Sequence, residues 1–371
     1  MNYSLIMQAF DVRGRILLCT PFGSGHINDT YRVVIETEKG EKEYILQKMN
    51  TRIFQNPAGL MNNIQLVTEY VKKKILKKGG DPEREAMHFH STIEGNLYHI
   101  DENGECWRLA DRVMGSVSYD WAVNREMFAN VGRAFGRFMA DLADFPAEQL
   151  VEVIPNFHNT RVRYQTFVSE VKANRAGRIE TCRPEIEFAL ARKELAEAIV
   201  EKLETNELPL RVTHNDTKIN NILMDAATDQ PLCIVDLDTI MPGACAYDFG
   251  DSIRFGASSA PEDETDLDKV YLELDLFEAY TDGYMQAVGN ILTQAEAKSL
   301  ALGTILMTYE TGIRFLGDYL NGDVYFKVHR PGQNLDRART QLKLVADMES
   351  KFDQMQAIVD KYYKLANSKI K

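Results

Sequence analysis

An abrupt change in the apolar pattern near residue 114 leaves few folds open to this chain. Before that point, residues 15–50 hold short β-rich runs such as RILLCTPFG and TYRVVIET, and the apolar residues between Pro57 and Lys78 recur at helical spacing. After about residue 124 the pattern is mostly helical, with helices predicted at 124–144, 157–176, 184–206, 268–289, 293–320 and 335–367. Strands followed by helices predict an α+β chain with a small antiparallel-sheet lobe at 1–114 and a larger helical lobe at 115–371.

Length and composition fit two lobes with their own apolar cores. The chain has 371 residues, of which 44% are hydrophobic and 26% are charged. Lys and Arg total 43 against 55 Asp and Glu, for a net charge of −12. Nucleic-acid binding depends on neutralising phosphates, so this charge argues against a nucleic-acid partner.

The five cysteines and the apolar runs indicate a cytoplasmic protein. Five is an odd number, and no CxxC pair occurs, which is typical of a reducing compartment without structural zinc. The first residues, MNYSLIMQAFDVRGR, lack the basic start of a signal peptide, and no apolar run reaches the length of a membrane span. We therefore expect no membrane association, and nothing in the sequence predicts a protein partner.

The densest polar cluster is RVTHNDTKINNIL, residues 211–223, which follows a β-like run. Such a run is either an exposed loop or a catalytic loop. The segment Ile234-Val-Asp236-Leu-Asp238, whose first acid lies fifteen residues beyond Asn221, places two carboxylates in an apolar strand. Because ionised carboxylates in apolar surroundings are unfavourable unless they are paired or bind a metal, these two acids indicate a functional site.

The pattern His-x-Asp-x-x-x-x-Asn followed by Ile-x-Asp-x-Asp resembles the signature of the aminoglycoside phosphotransferase and choline kinase family, relatives of protein kinases. Within that family the chain is similar to the N-acetylhexosamine 1-kinases along nearly its whole length. The stretches that carry this similarity include PFGSGHINDTY (21–31), YILQKMN (44–50), YDFGDSIRFGAS (247–258) and ETGIRFLGDYLNGDVYF (310–326). The resemblance implies a two-lobed, protein-kinase-like fold.

The resemblance also implies roles for the polar residues. Asp216 would be the catalytic carboxylate that accepts the proton of the attacking hydroxyl, and Asn221 and Asp236 would hold Mg²⁺ against the phosphates of ATP. His214 would brace the loop and Asp238 would lie near the metal. The protein-kinase motif Asp248-Phe-Gly is spelled out too, but it lies 27 positions after Asn221, so Asp248 is interpreted as a structural acid.

The nucleotide site departs from the wider pattern. Gly23 and Gly25 lie between strands, where backbone N–H groups could approach phosphate, although an ordinary hairpin turn would look the same. No GxxxxGK[ST] motif occurs, which excludes a P-loop. Gln47 takes the position of the expected phosphate-pairing lysine, so either Gln47 or a bulged Lys48 would contact phosphate. Gln65 and Glu69 are the candidates for the acidic helix partner of that lysine.

The resemblance places adenine at backbone groups near Arg112 and Met114 and the acceptor sugar near four further side chains: His26, Phe255, Arg314 and Tyr325. An ion pair with Glu310, four residues earlier on the same helix, is the alternative explanation of Arg314. Aromatic faces with a few oriented polar groups suit a sugar.

The sequence thus predicts a kinase that transfers the γ-phosphoryl of ATP to the anomeric hydroxyl of an N-acetylhexosamine, GlcNAc or GalNAc. The alternatives are a kinase of another small alcohol (a hexose, an aminoglycoside, choline or homoserine) or a nucleotide-binding regulator without catalysis. The missing lysine favours the regulator, whereas Asp216, Asn221 and Asp236 together favour an enzyme.

Overall fold

The computed structural model describes residues 3–23 and 27–368, which group into two units. The first unit contains residues 1–117 with two later segments, 149–155 and 222–241, and the second contains the remaining residues. The first unit is built around antiparallel sheet, and the second is mostly helical, as the apolar pattern predicts. A boundary between two lobes at residue 114 remains a prediction.

The first unit contains a five-stranded antiparallel sheet in the order β1-β2-β3-β5-β4. Its strands are β1 (Arg15–Pro21), β2 (Asp29–Thr37), β3 (Gly40–Met49), β4 (His99–Ile100) and β5 (Cys106–Asp111). The short helix α1 (Tyr3–Gln8) covers one face, where Ile6 and Met7 pack with Leu46, Trp107 and Leu109. Because side chains alternate along a strand, residues 45 and 47 of β3 lie on the opposite face.

The other elements of this unit are α2 (Pro57–Lys77), α3 (Pro82–Glu85) and a three-stranded sheet in the order β6-β8-β9. The strands of that sheet are β6 (Ser116–Val117), β8 (Ile222–Asp225) and β9 (Pro231–Ile234). Asn56 caps α2 and Pro57 follows in its first turn, which fixes the start of the helix. Asn63 of α2 donates hydrogen bonds to the carbonyls of Val151 and Ile240, which ties both later segments to this unit.

The second unit packs helices around the long helix α10 (Gln294–Asn321). The others are α4 (Arg125–Asp141), α5 (Thr160–Ala173), α6 (Arg183–Leu190), α7 (Lys193–Glu204), α8 (Cys245–Gly256), α9 (Leu274–Val288), α11 (Gln333–Ser350) and α12 (Phe352–Ser368). Strand β7 (Arg211–Thr213) pairs with β10 (Met241–Gly243), whose last two residues belong to this unit.

Two of the predicted helices are each divided into two. The predicted helix 184–206 breaks at Ala191 and Arg192 between α6 and α7, and the predicted helix 335–367 breaks at Lys351 between α11 and α12. Both junctions lack Gly and Pro, so the helical periodicity continues through each break and gives no stop signal. Of the helices within residues 3–23 and 27–368, none is both long and apolar enough to cross a membrane.

Candidate active site

The polar loop after β7 is held by backbone hydrogen bonds to the carboxylate of Asp248, on α8. The N–H of His214 donates to Asp248 Oδ2 at 2.8 Å, and the N–H of Asn215 donates to Oδ1 at 2.7 Å. Burial raises the pKa of Asp248, although these bonds favour its ionised form. Asn215 has a positive φ of 63°, a conformation that asparagine tolerates better than most residues and that turns the chain sharply.

The imidazole of His214 is completely buried between the rings of Phe135 and Phe138, at centroid distances of 5.7 and 6.2 Å. Its Nδ1 accepts a hydrogen bond from the N–H of Asp216 at 3.3 Å. These contacts are those of a residue that shapes the loop. The bracing role of His214 stays a prediction.

Asp216 is partly exposed and is held by two side chains from its own loop. Lys218 Nζ lies 2.8 Å from Oδ1, and Asn221 Nδ2 donates to Oδ2 at 3.1 Å and to the Asp216 carbonyl at 2.9 Å. Asp216 and Asn221, predicted as base and metal ligand, are therefore adjacent. The Oδ1 of Asn221 accepts no hydrogen bond from any residue in the described ranges.

A second buried acid supports the same loop, and sequence reasoning missed it. Asp251 of α8 accepts a hydrogen bond from the N–H of Thr217 at 3.0 Å and an ion pair from Arg254 at 2.9 Å. Burial opposes ionisation of Asp251, but Arg254 and Lys218 hold the pKa of this carboxyl below its usual value. The signal was present in Asp248-Phe-Gly-Asp251, where spacing of three places both acids on one side of a helix.

In the first unit, the segment after β9 carries Asp236 and Asp238. Asp236 has a positive φ of 59°, so the backbone turns sharply between β9 and Asp238. Asp238 is nearly buried and forms an ion pair with Arg108 through Oδ1, while its Oδ2 accepts a hydrogen bond from Asn28 at 2.6 Å. With both oxygens occupied, Asp238 acts as an anchor for β5 and for the chain entering β2.

The strand register decides whether Gln47 or Lys48 lies on the inner face of the sheet, which is the face opposite α1. β3 pairs with β5 without a bulge, with Gln47 opposite Arg108 and Lys48 opposite Trp107. Lys48 lies on the α1 side, where its Nζ is 3.2 Å from Asp29 and 3.7 Å from Glu105. The alternative in which a bulge brings Lys48 to the inner face is therefore wrong. Gln47 is hydrogen-bonded to Thr30 at 3.0 Å and to Arg108 at 2.9 Å.

The acidic helix partner suggested by the sequence is also absent from this face. Gln65 donates to Glu69 at 3.0 Å, and both side chains are exposed on α2. Both candidates therefore lie on the exposed face of α2, whose buried face carries Met61 and Asn63.

The predicted hinge residues lie at the end of β5. Arg112 forms an ion pair with Glu43 at 2.9 Å and lies 5.8 Å from the ring of Phe22. The side chain of Met114 is half exposed, and its carbonyl accepts a hydrogen bond from Arg84 at 3.4 Å. Gly23 has a positive φ of 78°, which favours glycine there, while Gly25 and His26 lie outside the described residues.

Three of the four predicted sugar residues, Phe255, Arg314 and Tyr325, lie in the second unit. The guanidinium of Arg314 lies 5.6 Å from the ring of Phe157 and 5.5 Å from that of Phe326, and Tyr325 packs edge-on against Phe326 at 4.8 Å. Phe255 is half-buried near the end of α8. A surface ion pair of Arg314 with Glu310 is not formed: Glu310 is fully buried and binds His158 at 2.8 Å and Thr160 at 2.6 Å.

One cluster of potential metal ligands lies elsewhere in the first unit. His90 Nε2 is 2.7 Å from Asp111, and His88 lies beside both. Lys72 Nζ is 2.9 Å from His88 Nδ1 and places a positive charge against the cluster. Burial and Lys72 both lower the pKa of His88. This arrangement connects α2 to the sheet.

Comparison with known proteins identifies the family. Residues 18–282 match the profile of the phosphotransferase enzyme family, which is more than half of the chain. The chain belongs to this family.

Three solved structures show the fold of this phosphotransferase. An aminoglycoside phosphotransferase of Alicyclobacillus acidocaldarius matches with a TM-score of 0.56 and 14% identity, over 96% of this chain and 95% of that one. A choline kinase of Cryptosporidium parvum matches with a TM-score of 0.55 and 13% identity, over 93% of each chain. A spectinomycin phosphotransferase, solved with ADP and spectinomycin, matches at 0.54 and 12%, over 95% and 97%. The predicted protein-kinase-like α+β class is confirmed.

Proposed function

We propose that this phosphotransferase transfers the γ-phosphoryl group of ATP to the anomeric hydroxyl of an N-acetylhexosamine, GlcNAc or GalNAc. The observation that carries the proposal is the partly exposed Asp216 carboxylate, on a loop whose backbone is fixed by Asp248 and Asp251. Phosphoryl transfer needs mainly positioning and charge stabilisation, so a pre-ordered carboxylate on a rigid loop suits it.

Asp216 is the proposed base. Its carboxylate would accept the hydrogen bond and then the proton of the anomeric hydroxyl, which is more acidic than an ordinary alcohol. Lys218 forms an ion pair with Asp216 at 2.8 Å and fixes the orientation of its carboxylate. In turn, Asp216 and Asp251 raise the pKa of Lys218 against the effect of burial, so the ammonium stays charged.

Asn221 and Asp236 are the proposed ligands of Mg²⁺. Carboxylate and amide oxygens are the protein ligands that Mg²⁺ prefers, and the Oδ1 of Asn221 accepts no hydrogen bond from the described residues. The donor set therefore fits the ion. When bound, Mg²⁺ would neutralise charge on the nucleotide phosphates.

We propose residues 1–114 as the nucleotide-binding lobe and 115–371 as the catalytic and substrate-binding lobe. Gly23, Gly25 and Gln47 would contact the phosphates, and the chain near Arg112 and Met114 would contact adenine. The similar fold of a phosphotransferase solved with ADP supports a nucleotide site. Five free thiols fit a reducing compartment, and we propose the cytoplasm.

The acceptor site favours a neutral polyol over a cation. Arg163 donates two hydrogen bonds to the carbonyl of Phe157, the residue whose ring also contacts Arg314. Neither arginine forms an ion pair with a carboxylate in the described ranges, and burial together with Arg314 lowers the pKa of Arg163. The buried carboxylate of Glu310 offsets part of this positive charge. Two guanidinium groups near one carboxylate still disfavour a cationic acceptor such as choline or an aminoglycoside. A sugar could instead accept hydrogen bonds from Arg314 and stack on an aromatic ring, with Phe255, Tyr325 and His26 as further contacts.

The test is ADP release with Mg²⁺-ATP and a panel of sugars, aminoglycosides, choline and homoserine. We expect turnover with GlcNAc or GalNAc and a sugar 1-phosphate by phosphorus NMR. Asp216→Asn should lower kcat by about 10²–10⁴-fold without loss of thermal stability. The matched control is Asp353→Asn, an exposed aspartate on α12, which should leave kcat unchanged. Turnover with choline or an aminoglycoside alone would refute the sugar acceptor, and ATP binding without transfer would favour a regulator.

A further inference from the structure

The phosphate side of the nucleotide lobe lacks the lysine expected on β3. In protein kinases this lysine pairs with the phosphates and with an acid on the neighbouring helix. Here Gln47 is uncharged, Lys48 faces the α1 side, and Glu69 is exposed and bonded to Gln65. A phosphate group would therefore find no cation from β3 itself on the inner face of the sheet.

Arg108 lies directly across from Gln47 on β5 and has its side chain on the same inner face. Its Nε donates to Gln47 Oε1 at 2.9 Å, and its Nη1 contacts Asp238 and, at 3.9 Å, the sulfur of Met61. The ring of Phe89 lies 5.5 Å from the guanidinium carbon. The side chain is thus fixed from four directions.

The ion pair of Arg108 with Asp238 is nearly closed to solvent, with side-chain exposures of 3% and 4%. A buried ion pair is weak evidence of a purely stabilising role, because apolar residues of similar volume often stabilise a core as well or better. The pair also leaves part of the guanidinium unused, since Nη2 donates to no residue in the described ranges. A planar guanidinium with a free N–H edge is suited to a phosphate oxygen.

We propose that Arg108 is the phosphate-binding cation of this enzyme and that Asp238 is its acidic partner. Together they replace the lysine of β3 and the acid of the helix. Asp238 would then link the cation to two other parts of the proposed site, because Asn28 binds its second oxygen and Asp236 lies two residues before it. This inference rests on the proposed kinase function but does not depend on which acceptor is used.

The experiment measures ATP binding by calorimetry in the presence of Mg²⁺, together with KM for ATP and for the acceptor. Arg108→Met should weaken ATP binding by about 10–100-fold, as expected for loss of a charged hydrogen bond, and leave KM for the acceptor within about twofold. Arg108→Lys should fall in between. The double variant Gln47→Lys/Arg108→Met returns a cation to the same face from β3 and should recover part of the affinity.

The matched control is Lys48→Met, the neighbouring cation on the opposite face, which should leave ATP affinity within about twofold of the parent. Because Arg108→Met leaves the buried Asp238 without its cationic partner, Arg108→Met/Asp238→Asn is measured alongside it as a variant without that uncompensated charge. ATP affinity within about twofold of the parent in this folded double variant would overturn the proposal. A parent protein that binds ATP but phosphorylates no sugar refutes only the acceptor, whereas a parent that binds no ATP refutes both proposals.

Discussion

At the scale of single residues, the chain separates the acids that could meet substrate from those that hold the backbone. Asp216 is partly exposed, and Lys218 and Asn221 of its own loop bind its carboxylate. Asp248 and Asp251 are buried and accept hydrogen bonds from three backbone N–H groups of that loop. Arg108 and Asp238 make a similar buried pair in the first unit. The exposure of an acid thus distinguishes its role better than the motif in which it occurs.

Asp248→Asn tests whether Asp248 is structural, despite the Asp-Phe-Gly motif. The new amide can accept only one of the two N–H groups now bound at 2.8 and 2.7 Å, because its NH₂ group faces the other donor. We expect a loss of about 1–3 kcal/mol in the free energy of unfolding, measured in urea, and a lower kcat. The Mg²⁺ concentration for half-maximal rate should not change. A higher Mg²⁺ concentration for half-maximal rate, with unchanged stability, would identify Asp248 as a metal ligand instead.

At the scale of elements, apolar spacing predicted the presence and type of helices and strands better than it predicted where they end or what they pack against. The helix predicted from Pro57 to Lys78 is present as Pro57–Lys77, since Asn56 and Pro57 mark its start and the basic last turn its end. The breaks at Arg192 and Lys351 had no local signal. For the proposed site, the motif predicts Asp216, Asn221 and Asp236. The role proposed for Arg108 could not be predicted from the sequence, because it rests on pairing between strands β3 and β5.

Close contact between α4 and α9 depends on glycine, and Gly283→Ala tests it. A Cβ at Gly283 would overlap the carbonyl oxygen of Ala129, and the facing Gly132 meets the Tyr280 carbonyl in the same way. Backbone atoms cannot move aside as a side chain can, so we expect a loss of about 3 kcal/mol despite the better helix propensity of alanine. Urea unfolding measures it. At Gly312 on α10 the nearest atoms to an added Cβ belong to the side chains of Leu342 and Gln341, so Gly312→Ala should cost less than half as much. Equal losses would contradict this account.

At the scale of the whole molecule, a buried acid inside the helical unit makes the stability of the fold depend on pH. Glu310 is fully buried on α10 and binds His158, just before α5, and Thr160, the first residue of α5. Burial opposes its ionisation, but His158, its hydrogen bonds and Arg314 outweigh burial and hold the pKa of Glu310 below its usual 4.5. The ionised form is therefore preferred in the folded protein.

Glu310→Gln should reveal this dependence. A carboxyl whose pKa is lower in the folded state adds stability above its unfolded pKa, and the addition disappears as pH falls through the folded value. At neutral pH we expect the variant to be less stable by about 1.5–3 kcal/mol, as for a hydrogen bond to a charged group. The gap should narrow below the usual glutamate pKa of 4.5. Urea unfolding at a series of pH values measures it, with Glu201→Gln on the exposed side of α7 as control. A gap that stays constant down to about pH 3 would show that the charge of Glu310 contributes nothing and that only its shape matters.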